Sequence, residues 1–261
     1  MTEGPVSMPE ALRGRGALVT GGGRGIGAAT ARALASAGAR VVVSARTADQ
    51  VEAIAQELRD AGTDARALVA DVTDSAALEA MIMEADDWLG GLDILVNNAG
   101  AASSAPLHRT TLEEWRRLLE LNATAAFVAT RAVVPGMLTR GRGRIVMVAS
   151  VAGLHGARYI AAYAASKHAM IGLMRSVAAE VEGTGVTCNA VCPGYVDTPM
   201  TEGTIATITA RTGRTRAEAV AAMLATGTQT RLIRPEEVAA AVLRLCASDL
   251  NGEAVLLEGK E

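Results

Sequence analysis

Short runs of consecutive apolar residues recur along the chain at 17–19, 41–43, 67–69, 94–96, 145–148 and 186–191. Their hydrophobicity is continuous rather than alternating, which marks strands buried on both faces, as in a parallel sheet. Alanine-rich stretches separate them, at 28–37, 48–61, 75–89, 112–137 and 162–182. Each is long enough for the crossover helix that parallel neighbours require. Six such units in succession predict an α/β fold, a doubly wound, mostly parallel sheet of about seven strands with helices on both faces. The rhythm weakens over 198–229, rich in Thr, Ala and Arg and broken by Gly203, Gly213 and Gly227. That segment reads as a helical lid above the sheet. Pro235-Glu236-Glu237 opens one more helix, with proline in its first turn and acids at its positive end. Residues 254–257 supply the last strand. Residues 1–13 read as a flexible lead-in, and 14–261 as one domain undivided by repeat or linker.

Composition narrows the function classes. Half of the 261 residues are hydrophobic and 20% are charged, so the chain has ample material for a core and is not a disordered one. Aromatic residues make up only 2%, which leaves the core to Ala, Val, Leu and Ile and provides no base-stacking platform. A net charge of −3 disfavours a phosphate-neutralising surface, so no nucleic-acid partner is expected. No unbroken apolar run reaches the roughly 18 residues of a bilayer span. The N-terminal residues carry acids and no signal-like apolar stretch. Cys188, Cys192 and Cys246 suit neither a disulfide framework nor a metal site, for which further ligands are missing. A cytoplasmic protein without membrane partner is expected.

The first strand runs directly into Thr20-Gly21-Gly22-Gly23-Arg24-Gly25-Ile26-Gly27 and then a helix. Glycines allow a tight turn and let backbone N–H groups approach a phosphate, and the helix N-terminus adds roughly half a positive charge. This strand–turn–helix context predicts a dinucleotide site. At the end of the second strand stands Ser44-Ala45-Arg46, with no acid to bind a ribose 2′-hydroxyl. Arg46, with Arg24 beside it, offers charge-assisted hydrogen bonds to a 2′-phosphate instead. NADP(H) is therefore favoured, and an Arg46 that only stacks on adenine leaves NAD(H) usable.

Tyr163-Ala164-Ala165-Ser166-Lys167 places a phenol and an ammonium four residues apart, on one face of a helix. Ser150 lies thirteen residues upstream at the end of the fifth strand, where strand ends meet the ligand crevice. The spacing of Gly21, Gly25 and Gly27 after a threonine resembles the glycine-rich turn of the short-chain dehydrogenase/reductase family, and the likeness extends over the chain from Gly14 onward. Within it, the chain looks most like the 3-oxoacyl reductases, 3-hydroxyacyl dehydrogenases and polyketide ketoreductases. The resemblance implies that Asp71 and Val72 approach adenine, and that Asn97-Asn98-Ala99-Gly100 supports the sheet and touches the adenosine ribose. It also implies that the backbone of Pro193, Gly194 and Val196, with Thr198, holds the nicotinamide carboxamide.

The implied activity interconverts a ketone and a secondary alcohol by hydride transfer, with an acyl thioester as one substrate class. Tyr163 would be the general acid/base, its pKa lowered from about 10 by Lys167 and the oxidised nicotinamide. A fall of ~3 units corresponds to about 4 kcal/mol. Ser150 would hydrogen-bond the substrate oxygen, and Asn122 would hold a water linking Lys167 to solvent. A homotetramer, packed through the 112–137 and 162–182 helices, is implied as well. A cofactor-sensing protein without turnover is the competing class, but such relatives lose the tyrosine or lysine, and both stand here. His155 is a candidate substrate contact. Arg211, Arg214 and Arg216 could meet thioester phosphates, and Arg140, Arg142 and Arg144 read as a solvated turn.

Overall fold

The computed structural model describes residues 11–260. The apolar runs become β1 (Gly16–Thr20), β2 (Arg40–Ala45), β3 (Ala65–Val69), β4 (Ile94–Asn97), β5 (Gly143–Val148), β6 (Val186–Pro193) and β7 (Ala254–Leu257). They form one parallel sheet in the order β3-β2-β1-β4-β5-β6-β7. The chain reverses direction of winding between β1 and β4, so the crevice that binds ligands in such sheets opens beyond the carboxyl ends of these two strands. Register aligns those ends: Thr20 pairs with Ser44, Val19 with Val96, and Val148 with Val191.

Side chains alternate between two cores, one per face. Leu18, Val42 and Leu95 point into a core shared with α3 (Ser75–Leu89), α5 (Ala125–Arg140) and α6 (Ala161–Glu180). Val19, Val43 and Val96 point the other way, against α1 (Gly25–Ser36), α2 (Ala48–Asp60) and α9 (Pro235–Cys246). Leu18 and Leu95 are wholly buried, and truncating such a side chain to alanine costs about 2–5 kcal/mol.

Three departures from the sequence reading matter. The 112–137 stretch is not one regular helix: α4 (Leu112–Leu119) joins α5 through a wide π turn, Glu120–Thr124. Taken together, Leu112–Arg140 is long and apolar enough on average to cross a membrane, yet its inner face packs into the first core. Arg140, Arg142 and Arg144 are tethers rather than a solvated turn. Arg142 Nε donates to the buried Asp93 carboxylate at 2.9 Å, Arg140 donates to the Leu92 carbonyl, and Arg144 pairs with Asp249. Of the lead-in, residues 1–10 lie outside the described residues, and Leu12 is buried in the second core.

Segment 198–229 carries two helices, α7 (Pro199–Thr212) and α8 (Arg216–Leu224). Gly213, at φ +70, ends the first, and a Thr215–Glu218 capping box starts the second. Their shared core is small: Ile205, Ala219 and Met223, with Tyr195, Ile208 and Val220 against it.

Candidate active site

The glycine turn lies at the switch between β1 and β4. Gly25 has φ +53, and a Cβ on Gly27 would lie 2.2 Å from the Gly21 carbonyl oxygen, so a larger residue at 27 would push α1 off the sheet. Thr20 and Asn98 brace the turn. The Thr20 hydroxyl accepts the N–H groups of Asn98 and Ala99 at 3.1 and 3.2 Å, and the Asn98 amide donates to the carbonyls of Thr20 and Gly21. The Gly22 N–H donates to the Ser44 carbonyl, and Gly23 lies against Gln50. Arg24 occupies the N-cap position of α1 without a capping side-chain bond, and the first turn, which includes Ile26, has no acid. In α3, by contrast, the Asp74 carboxylate takes the N–H groups of Ala76 and Ala77. The residues present thus fit a phosphate-bearing cofactor at α1: orphan helix N–H groups, a turn without side chains and two nearby arginines.

Arg46 is 70% exposed, with its guanidinium 3.6 Å from the Asp71 carboxylate. Asp71 also accepts the Thr73 N–H and hydroxyl, and these bonds, with Arg46, hold its carboxyl below the usual range. Val72 is buried beside it. The β2–β3 end therefore presents a cation whose partner is shared and solvated.

Across the crevice, the π turn delivers Asn122 into the interior. Its Oδ1 accepts the Ala101 N–H at 2.9 Å, and its Nδ2 donates to the Ala101 carbonyl and the Ser166 hydroxyl, both at 2.9 Å. Ser166 in turn donates to the Tyr163 carbonyl at 2.7 Å. Gly100 makes this approach possible, since a Cβ there would lie 2.9 Å from Asn122 Oδ1. Lys167 is buried; its Nζ donates to the Val148 carbonyl at 2.9 Å and lies 6.0 Å from the centroid of the Tyr163 ring. Burial brings its pKa down to about 8.

The Ser150 hydroxyl accepts the Ala152 N–H at 3.1 Å and lies at 3.4 Å from the Pro193 carbonyl, to which it donates. Burial raises the Tyr163 phenol above its ordinary pKa, the hydrogen bond with Ser150 works against that rise, and Tyr195 adds to it. The protein's own groups therefore hold a proton on Tyr163 more firmly; the lowering expected from the sequence counts the charge of an oxidised nicotinamide as well as Lys167. At the end of β6, the Gly194 N–H donates to the Leu257 carbonyl, and the Val196 carbonyl accepts the Thr201 hydroxyl. Thr198 caps α7 through the Thr201 N–H, and its methyl group faces Gly25.

The sequence-predicted residues are thus brought to one edge of the sheet, in two groups: the glycine turn with Ser44, Arg46, Asp71 and Asn98, and Asn122, Ser150, Tyr163 and Lys167 beyond β4. His155 is exposed. Arg216 is ion-paired with Glu202, while Arg211 and Arg214 are exposed. The three thiols are buried, and burial raises Cys188, Cys192 and Cys246 to about 12, 11 and 12. Sequence reasoning missed the π turn and Gln229, whose carboxamide binds the Tyr195 backbone.

Residues 15–209 match the short chain dehydrogenase family model. A ketoacyl reductase assigned to the monensin polyketide synthase of Streptomyces virginiae is 46% identical over 190 residues, 72% of this chain and 73% of that protein. The cis-4-hydroxycyclohexanecarboxylate dehydrogenase of Sinomonas cyclohexanicum is 41% identical over 256 residues, covering 97% of this chain and 98% of its own. Among solved structures, a variant actinorhodin polyketide ketoreductase with NADPH superposes with a TM-score of 0.89 at 35% identity, covering 97% of this chain and 98% of that one.

Proposed function

Because this chain belongs to the short-chain dehydrogenase family of NAD(P)-dependent oxidoreductases acting between carbonyl and alcohol, we propose that it is an NADP(H)-dependent ketoreductase with Tyr163 as general acid/base. The observation that carries the reading is the meeting of Tyr163, Ser150 and the buried Lys167 beside the ends of β5 and β6. A nicotinamide cofactor held by the glycine turn and Lys167 would supply the hydride in reduction and accept it in oxidation. Tyr163 gives its proton to the oxygen that gains charge, and its raised pKa suits a donor. For oxidation the phenolate must form, and the cationic nicotinamide of the oxidised cofactor favours it. Ser150 fixes the carbonyl oxygen beside Tyr163. Lys167 orients the nicotinamide ribose. Asn122 has committed both amide donors to Ala101 and Ser166, so it acts by holding the wide turn against the helix that carries Lys167.

NADP(H) is the favoured cofactor because Arg46 and Arg24 face outward where an acid would be needed to select NAD(H); solved relatives bound to NADPH and NADP support this. A carbonyl carried on an acyl thioester is the favoured substrate, after the ketoacyl reductase relative. The second reading, an NAD(H)-dependent secondary-alcohol or 3-hydroxyacyl-CoA dehydrogenase, is favoured by the whole-length relative acting on a cyclic alcohol. A homotetramer would cover the outward Trp115, Phe127 and Leu138 of α4 and α5; a monomer by light scattering would overturn it. Reduced buried thiols suit the cytoplasm.

The deciding experiment follows NADPH and NADH oxidation against matched 3-oxoacyl thioesters, acyclic ketones and cyclic ketones. NADPH-dependent turnover of the thioesters is expected. Turnover of free cyclic ketones with NADH alone would establish the second reading. Binding of NADPH without turnover of any carbonyl would sink the ketoreductase assignment.

A further inference from the structure

We propose that Gln229 is a positioning residue: its carboxamide pairs with the Tyr195 backbone and fixes the Tyr195 ring against the lid, beside the end of β6 that meets Ser150. The inference rests on the ketoreductase reading of the Tyr163 site. Gln229 Oε1 accepts the Tyr195 N–H at 2.6 Å, and Nε2 donates to the carbonyls of Tyr195 and Arg231, both at 3.0 Å. One side chain thus pairs with both backbone groups of a residue 34 positions away, as a neighbouring strand would.

The surroundings are shaped to this amide. A Cβ on Gly194 would lie 2.1 Å from Gln229 Oε1, and a Cβ on Gly259 would lie 2.3 Å from the Arg231 carbonyl oxygen. Main-chain bonds close the knot. The Ile233 N–H donates to the Tyr195 carbonyl, the Gly194 N–H to Leu257, and the Thr230 and Arg231 N–H groups to Gly259. The end of β6, the exit of the lid segment and the tail after β7 meet at this one carboxamide.

What the knot presents is the Tyr195 ring. It packs on Ile205, Ala219 and Met223 of the lid, and its hydroxyl lies 3.4 Å from that of Thr226. Two residues before it, the Pro193 carbonyl accepts the Ser150 hydroxyl at 3.4 Å. Tyr195 therefore links the lid to the reacting end of the pocket, while Gln229 touches neither Tyr163, Ser150 nor Lys167. Losing the carboxamide takes the acceptor from the Tyr195 N–H, leaves its carbonyl held by Ile233, and leaves the proton donor in place. The effect must then fall on substrate fit more than on the chemical step.

The test uses full-length Gln229→Met, which keeps the length of the side chain and removes its hydrogen bonds, with Gln229→Asn, which is too short to reach, as the second variant. KM for the carbonyl is expected to rise about tenfold or more, with kcat within about threefold of wild type. Tyr195→Ala should raise KM similarly, and the double variant should add little, since the two act as one unit. The split between KM and kcat is a change that mere loss of stability would not produce. Independently of turnover, hydrogen exchange at the Tyr195 amide should accelerate while the Asp197 amide, bonded to Ile233, stays protected. Unchanged exchange at Tyr195 overturns the clamp, and accelerated exchange with wild-type KM overturns its positioning role. Failure of the wild type to turn over any carbonyl would overturn the ketoreductase reading instead, and the exchange result would still decide the clamp.

Discussion

The corner formed by Asn122, Ser166 and Lys167 and the lid formed by α7 and α8 are held in opposite ways. In the corner, bonds run between distant elements: Asn122 to Ala101 and Ser166, and Lys167 to Val148 on β5. All three residues are buried. In the lid, Thr204, Thr207 and Thr212 donate to carbonyls one turn back in their own helix, and only three apolar residues form a buried core. A corner braced from several sides keeps reacting groups in one geometry, whereas a lid tied mainly at its roots can change shape cheaply. Chemistry and selectivity are therefore assigned to parts of different stiffness.

The sharpest way to break that division is Tyr163→Phe. It should lower kcat by at least about a thousandfold with NADPH affinity retained, measured by steady-state kinetics and fluorescence titration. Normal turnover would remove the proton donor from the corner. Next comes the cost of burying Lys167. Its pKa is depressed from 10.5 to about 8 in the folded protein, so between those values this group binds more protons in the unfolded chain and adds stability as pH rises, against the buried thiols of Cys188, Cys192 and Cys246, whose raised pKa values take stability away. Across that window the wild type should therefore gain about 3 kcal/mol relative to Lys167→Met, as read by urea denaturation of both proteins. Parallel pH profiles for the two proteins would show that Lys167 keeps its ordinary pKa.

Smaller effects probe the rim and the lid. Arg46→Asp should shift the NADPH to NADH ratio of kcat/KM toward NADH by at least about tenfold. An unchanged ratio would mean that Arg46 serves only Asp71. Arg216→Ala removes the α7–α8 ion pair with Glu202, which is solvent-exposed. It should leave Tm unchanged and move KM by less than about twofold. A tenfold rise would show that the lid depends on that pair, and the contrast with the corner would blur.

The parallel sheet was legible because strands such as β2 and β6 are buried on both faces and must be continuously apolar. The crossover helices and the Tyr163–Lys167 pair followed from spacing alone. The burial that raises the Tyr163 pKa did not, because it is a property of packing and only neighbours in sequence could be read. The ties of Arg140, Arg142 and Arg144 were missed for a similar reason: a cluster of cations before a strand looks solvated until Asp93 is placed among them. Gln229 was illegible because its partner lies 34 residues away, and glutamine in a polar stretch carries no periodic signal.

The wide turn at Glu120–Thr124 also has a rotational meaning. Each helical residue advances the chain by about 100° around the axis, and a π turn carries one residue more than an α turn. It therefore acts as a phase shifter between α4, which turns Trp115 outward, and α5, which turns Val128, Val133 and Met137 inward. Deleting a residue between 120 and 124 would restore regular winding yet swing the buried stripe of α5 toward water, so the two helices cannot both keep their partners without the extra residue.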